Sequence, residues 1–121
     1  PSDLACYRTD RLFIRRSMHV PLSPQAVRDA MPLFFEMLEN DVHAAVRVVL
    51  GHFIFVYIHP YIDGNGRMGR FLMNLMFASG GYPWTIIRVE HRADYMSALE
   101  QASVNQDVVP FCRFIAKQME A

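Results

Sequence analysis

The stretch His59-Pro60-Tyr61-Ile62-Asp63-Gly64-Asn65-Gly66-Arg67-Met68-Gly69-Arg70 gathers side chains suited to handling a phosphate. His59 has an ordinary pKa of about 6.5 and is a natural proton acceptor near neutral pH. Asp63 is a hard oxygen ligand, the type that holds Mg²⁺ together with phosphate oxygens. Gly64-Asn65-Gly66 lets successive backbone N–H groups face one concavity, an anion nest. Arg67 and Arg70 stand three apart, so a helix starting here carries both on one face. A guanidinium offers phosphate two parallel hydrogen bonds. Each residue alone has a plainer explanation: a helix-end histidine, a tight turn, a solvated basic face. Together, a base, a carboxylate, a nest and two arginines describe a phosphate-transfer site.

These groups need elements to hold them. From Ala44 to Ile58 the chain is apolar almost all round, which predicts a helix buried on most sides. Asp41 is a candidate cap for it. Pro60 ends it at or near His59. A second helix follows the glycines, its predicted inward face being Met68, Phe71, Leu72, Leu75 and Met76, and Gly80-Gly81 stop it. Upstream, Ser23-Pro24 is an N-cap followed by proline at the first helical position. Val27, Met31, Phe34 and Leu38 then recur at helical spacing, with a kink or a late start expected from Pro32. Two more helices are predicted, over about 90–103 and from about Asp107 onward, the last with Phe111, Phe114, Ile115 and Met119 inward. Residues 11–20 read as a β-hairpin. The fold class is therefore mainly α with one β-hairpin near the N-terminus.

The motif resembles the signature of the Fic family, His-x-Phe-x-(Asp/Glu)-Gly-Asn-Gly-Arg-x-x-Arg, with Tyr61 in place of the aromatic Phe. Tyr keeps an aromatic plug and adds a hydroxyl that needs a partner. The Tyr7-Arg8 segment, the apolar helix before the motif, Asn74, Gly80-Gly81-Tyr82-Pro83, Tyr95 and Pro110-Phe111 also look like Fic domains. Coverage is nearly the full chain. The resemblance implies one Fic catalytic domain over 1–121, a piece of something longer or a chain whose initiator Met was removed. It implies transfer of AMP from Mg-ATP to a Ser, Thr or Tyr hydroxyl of a target protein. Carried over, His59 is the general base and Asp63 the Mg²⁺ ligand. Gly64, Asn65 and Gly66 cradle the phosphates, with the Asn65 side chain as an added donor. Arg67 and Arg70 hold the outer phosphates, and Tyr95 packs near the nucleotide base. The hairpin is the family's flap, docking the target by strand addition.

Some relatives carry a second tyrosine where this chain has Met96, and Asn where it has Ser103. These departures keep open a donor other than ATP, with UMP, GMP or phosphocholine as the group transferred. A kinase-like branch, with Lys at the position of Gly66, fits less well. A non-catalytic nucleotide-binding module is the other class of reading, disfavoured because binding alone requires neither His59 nor Asp63. Many Fic proteins are restrained by (Ser/Thr)-x-x-x-Glu-(Gly/Asn). Glu39-Asn40 comes nearest here, but Phe35 stands where Ser or Thr is needed. An inhibitory helix elsewhere, an antitoxin partner and a homodimer stay open.

Composition sets the outer bounds. The chain has 121 residues, 52% apolar, with twelve basic against twelve acidic side chains. That suffices for one core and excludes disorder. Zero net charge argues against nucleic-acid binding. The apolar run from Val42 to Ile58 is interrupted by Arg47 and His52 and is shorter than the ~20 residues of a membrane span. No signal peptide is visible. Cys6 and Cys112 form neither a CxxC pair nor a zinc pattern, so buried or semi-buried thiols in a reducing, cytoplasmic setting are expected. His19, His43, His52 and His91 show no ligand spacing, and the eight methionines are core-forming.

Overall fold

The computed structural model describes residues 6–40 and 44–120. Five α-helices follow in order: α1 Pro24–Asn40, α2 Ala44–Ile58, α3 Asn65–Ser79, α4 Arg92–Val104 and α5 Val109–Glu120. A 3₁₀ turn at Val89–His91 leads into α4. None of these helices is long and apolar enough to cross a membrane. The candidate cap Asp41 lies outside the described residues.

The apolar α2 sits at the centre, packed against α1, α3 and α4. One core cluster joins its Val48 to Met73, Phe77, Tyr95, Leu99, Phe111 and Ile115. The other joins its Phe55 and Ile58 to Val27, Met31 and Phe34 of α1. Gly51 is where α2 is approached from two sides. A Cβ there would lie 2.8 Å from Leu38 Cδ2 and 3.2 Å from Met76 Cε, so a larger residue would require those side-chain ends to shift.

The helix boundaries follow local chemistry. Ser23 Oγ accepts a hydrogen bond from Ala26 N–H at 3.2 Å, the N-cap expected for α1. α1 starts at Pro24 and continues through Pro32. Pro32 is on the exposed face, where the carbonyl it leaves unpaired can meet water. At the end of α3, Gly81 takes φ 85° and Tyr82 N–H reaches Phe77 C=O at 2.8 Å, a glycine stop as expected. The start of α5 is two residues later than predicted, with Asp107 Oδ1 accepting from Val109 N–H at 3.2 Å. Its inward residues Phe111 and Ile115 are fully buried, with Phe114 and Met119 packed beside them.

Three expectations are corrected. α3 is turned partly away from its predicted face: Gly69, Met73, Asn74 and Phe77 are buried, Leu72 and Met76 pack beside the core as predicted, and Met68, Phe71 and Leu75 are about half exposed. Apolar residues occur all round this helix, so periodicity does not choose a face. Close approach at Gly69 and the Asn74 amide choose it instead. Asn74 Oδ1 accepts from Thr85 N–H at 2.7 Å, and its Nδ2 donates to Thr85 C=O at 2.9 Å. Second, the described residues contain no strand, so residues 11–20 form no hairpin. The chain does reverse, with Arg16 at φ 64° and Ser17 N–H on Ile14 C=O at 3.2 Å. Beyond that turn, Met18 N–H goes to Glu100 Oε2 at 2.8 Å rather than to a facing strand. Phe13, Met18 and Val20 are exposed and give a two-stranded ribbon nothing to pack on. Third, Cys6 is exposed, while Cys112 is half-buried as expected.

His52 is fully buried on α2, and burial lowers its pKa from 6.5 to about 4; the Gly69 backbone opposes this and the charge of Arg70 adds to it. It is therefore neutral in the fold at neutral pH. Between 4 and 6.5 the unfolded chain binds more protons than the folded one, so stability falls as pH falls through that window. The loss at pH 5 relative to pH 7.5 is about 2 kcal/mol from this group. Urea unfolding at the two pH values measures it, and His52→Phe should show a shallower dependence. An equal slope in the variant would assign the effect to other groups.

Candidate active site

The site begins where α2 stops. His59 follows the last helical residue with φ 55°, a left-handed conformation uncommon for a residue with a Cβ. Its N–H still bonds to Phe55 C=O at 3.0 Å, and Pro60 prevents continuation. The last carbonyls of α2 have no helical donors. The N-terminal segment supplies donors instead. His19 Nε2 lies 2.9 Å from Tyr57 C=O. Arg8 Nη2 donates to Ile58 C=O at 3.3 Å, and Arg8 Nε to His59 C=O at 2.6 Å. Arg8 N–H donates to Pro60 C=O at 2.9 Å. The same guanidinium reaches back to Asp10 C=O at 3.0 Å and Leu22 C=O at 2.5 Å. Arg8 is only 2% exposed. It is a buried cation at the negative end of the α2 dipole, where a positive charge is favourable.

Arg8 acts on the imidazole as well as on the backbone. Burial lowers the His59 pKa, the Arg8 charge lowers it further, the Val56 carbonyl opposes this, and His19 adds a smaller downward contribution. The ring is thereby held in its neutral, proton-accepting form at neutral pH. His59 Nδ1 is buried, and the ring borders the cavity described below.

The loop beyond is closed by one side chain. Asn65 Oδ1 accepts from Tyr61 N–H at 2.8 Å while its Nδ2 donates to Tyr61 C=O at 2.7 Å. Asn65 is 3% exposed, and its amide shapes the loop while the residue borders the cavity described below. Tyr61 packs its ring against Tyr7 and Phe55 at 5.8 and 6.3 Å between centroids. Gly64 adopts φ 79°, a turn that a side chain would strain. Asp63 is exposed, and its Oδ1 accepts from Gly64 N–H at 2.8 Å. α3 starts at Asn65, so the first-turn N–H groups of Gly66 and Arg67 have no helical acceptor. A Cβ on Gly66 would lie 3.1 Å from Arg70 Nη1, so this glycine leaves room for the guanidinium.

His59, Asp63, Gly64, Asn65, Gly66, Arg67, Arg70 and Tyr95 all line one cavity of about 840 Å³. Every site residue expected from the sequence is thus brought to the same space. Residues 14–17, His19, Met96, Glu100 and Ser103 are also among its lining residues. Tyr95 contributes a buried ring, 2% exposed, with its hydroxyl 2.8 Å from His52 Nε2 and Arg70 Cζ 5.9 Å from its centroid. Burial raises the Tyr95 pKa while the Arg70 and Arg92 charges oppose the rise. No group of three or more His, Cys, Asp or Glu among the described residues can hold a metal. Asp63 alone still fits Mg²⁺, which is commonly bound by one or two carboxylates with substrate phosphates and water.

Sequence reasoning did not pick out Arg8 or Glu100 as contributors. Glu100 on α4 accepts from Ser17 Oγ at 2.5 Å and from Met18 N–H at 2.8 Å, tying the N-terminal segment across the cavity mouth. Both act on residues more than forty positions away, and no local pattern signals that.

A profile of the Fic/DOC family matches residues 3–77. The chain is 39% identical to protein adenylyltransferase Fic of Nematostella vectensis, the match covering 99% of this chain and 28% of that protein. It is 33% identical to protein adenylyltransferase fic-1 of Caenorhabditis elegans, covering 100% of this chain and 24% of that one. The solved structure of Fic-1 from C. elegans superposes with a TM-score of 0.86 at 31% identity, over 99% of this chain and 36% of that chain. The chain therefore belongs to the Fic/DOC family. It spans about a quarter of the length of the curated relatives it matches.

Arg8→Met should move the His59 Cε1–H titration midpoint, followed by NMR, upward toward the ordinary histidine value. Burial persists, so the return is partial. Unfolding free energy should drop by about 2–4 kcal/mol, because buried carbonyls lose their donors. An unchanged His59 midpoint in the folded variant would show that the Arg8 charge does not govern the imidazole.

Proposed function

We propose that this chain is the catalytic domain of a protein adenylyltransferase, transferring AMP from Mg-ATP to a Ser, Thr or Tyr hydroxyl of a target protein. The observation that carries this reading is the convergence of His59, Asp63, the glycine nest, Arg67 and Arg70 on one cavity. The relatives' names, protein adenylyltransferase, support it.

In this mechanism Arg67 and Arg70 hold the β- and γ-phosphates, and the Gly66 and Arg67 N–H groups face the phosphate chain. His59, uncharged at neutral pH, takes the proton from the target hydroxyl. The hydroxyl oxygen then attacks the α-phosphorus, a phosphodiester forms, the bond to the β-phosphate oxygen breaks, and pyrophosphate leaves. Asp63 is the residue that would hold Mg²⁺, which supplies charge neutralisation at the phosphates. Positioning and electrostatics do most of the work in such transfers. The exposed segment around 11–16 and 18–20 is the docking edge for an extended target peptide, presented beside the cavity.

Met96 and Ser103 face the cavity where a nucleobase would pack, so a different base or a phosphocholine donor is the second reading. Incubation with candidate proteins and ATP labelled at the α- or the γ-phosphate separates the readings. Protein should acquire α-label and no γ-label, and CTP, GTP and UTP should compete weakly. Label from the γ-phosphate would make the chain a kinase, and no label from any donor would make it a binding module.

His59→Ala should slow transfer by ~10²-fold or more while nucleotide affinity stays unchanged, since the histidine acts on the attacking hydroxyl. Transfer at the native rate would remove His59 from the base role. Asp63→Ala should weaken ATP binding in the presence of Mg²⁺ and leave metal-free binding unaltered, as read by calorimetry. Loss of affinity in both conditions would point to loop collapse instead.

A further inference from the structure

His52 is a polar residue in the most apolar helix of the protein, fully buried two turns before His59. Its ring stacks on Phe111 at 5.6 Å and presses against α3, where a Cβ on Gly69 would meet its Cε1 and Nδ1 at 3.3 Å. Nδ1 faces the Gly69 backbone but makes no well-formed hydrogen bond among the described residues. An apolar residue of similar shape would remove that unsatisfied atom. His52 Nε2 pairs with the Tyr95 hydroxyl, 2.8 Å away and buried. Arg70 lies against the Tyr95 ring with its Cζ 5.9 Å from the centroid, within the range of a cation–π contact.

The order of protons along this line follows from charge. Arg70 is a permanent cation and donates only. Its field turns the Tyr95 oxygen lone pairs toward the guanidinium and the hydroxyl proton away from it. That proton then lies toward His52 Nε2, which accepts it only while the imidazole is neutral. Burial and the Arg70 charge both keep it neutral, with a pKa of about 4. A charged His52 would reverse the bond and set a hydroxyl proton against the guanidinium.

We propose that His52 is a positioning residue which, through the Tyr95 hydroxyl, sets the orientation of the Arg70 guanidinium and thereby the grip on the outer phosphates of a nucleoside triphosphate. The part concerning phosphates rests on the function proposed above. The part concerning Arg70 stands on the hydrogen bond and the ring contact alone. Through this line, the helix that ends in the base also orients the cation that holds the leaving group.

The test uses Tyr95→Phe, which keeps the ring and removes the hydroxyl, with His52→Leu and His52→Gln. The Arg70 Nε–Hε resonance is followed without ligand, and ATP and AMP binding by calorimetry. Tyr95→Phe and His52→Leu should shift the Arg70 resonance alike. They should weaken ATP about tenfold and leave AMP within about twofold, the size of one lost polar contact. His52→Gln, which keeps a polar group able to reach the Tyr95 hydroxyl, should recover most of the ATP affinity. An unmoved Arg70 resonance in folded Tyr95→Phe would overturn the proposal, as would equal losses for ATP and AMP. A wild-type chain that binds ATP no better than AMP would overturn the phosphate assignment instead, and the resonance would still decide whether His52 positions Arg70.

Discussion

The buried guanidinium of Arg8 is the contact on which the site depends. A helix that ends in the interior leaves carbonyls pointing at low-dielectric surroundings. Arg8 meets those of Ile58 and His59 with its side chain and that of Pro60 with its own N–H. Its remaining donors reach Asp10 and Leu22, so the N-terminal segment is wrapped around the end of α2. A planar, permanently charged fork can serve several carbonyls at once, and lysine cannot reproduce that geometry. The left-handed turn at His59 is held by the same contacts, which is how an unfavourable backbone angle persists there.

From that anchor the site is built outward with little freedom. Asn65 closes the Tyr61–Asn65 loop through both main-chain groups of Tyr61. That closure delivers Gly64 and the start of α3, so the nest and the two arginines share one rigid entry. Glu100 ties the Ser17–Met18 turn to α4 and sets the far wall of the cavity. Burial and the Arg8 charge hold the His59 imidazole neutral beside this pair of arginines.

The Asn65 side chain shows how one residue type admits two roles. In the sequence it sits between two glycines and looks like a phosphate donor. In the fold its amide also closes its own loop through both main-chain groups of Tyr61. α3 shows a related limit: an apolar helix with two usable faces is oriented by Gly69 and Asn74, not by its hydrophobic pattern. The residues at 11–20 have β-prone character, yet a ribbon with no partner surface forms no ladder, and its backbone donors go to Glu100 and to the turn.

The sequence by itself determined a mainly helical architecture, most helix ends and the residue types of the motif, while the hairpin it predicted is not seen among the described residues. Proline and glycine signals, caps and apolar runs act within a few residues, so they are written locally. The same holds for the base, carboxylate, nest and arginines, which are consecutive in the chain. Only the tertiary structure decided which face of α3 is buried, that Arg8 holds His59 from fifty-one residues away, and that His52 lies behind Tyr95 and Arg70. Those facts depend on which surfaces meet once helices pack, and burial converts a lone arginine or histidine into a partner with consequences for charge and geometry. A residue's type is local, but its desolvation and its partners are properties of the packed molecule.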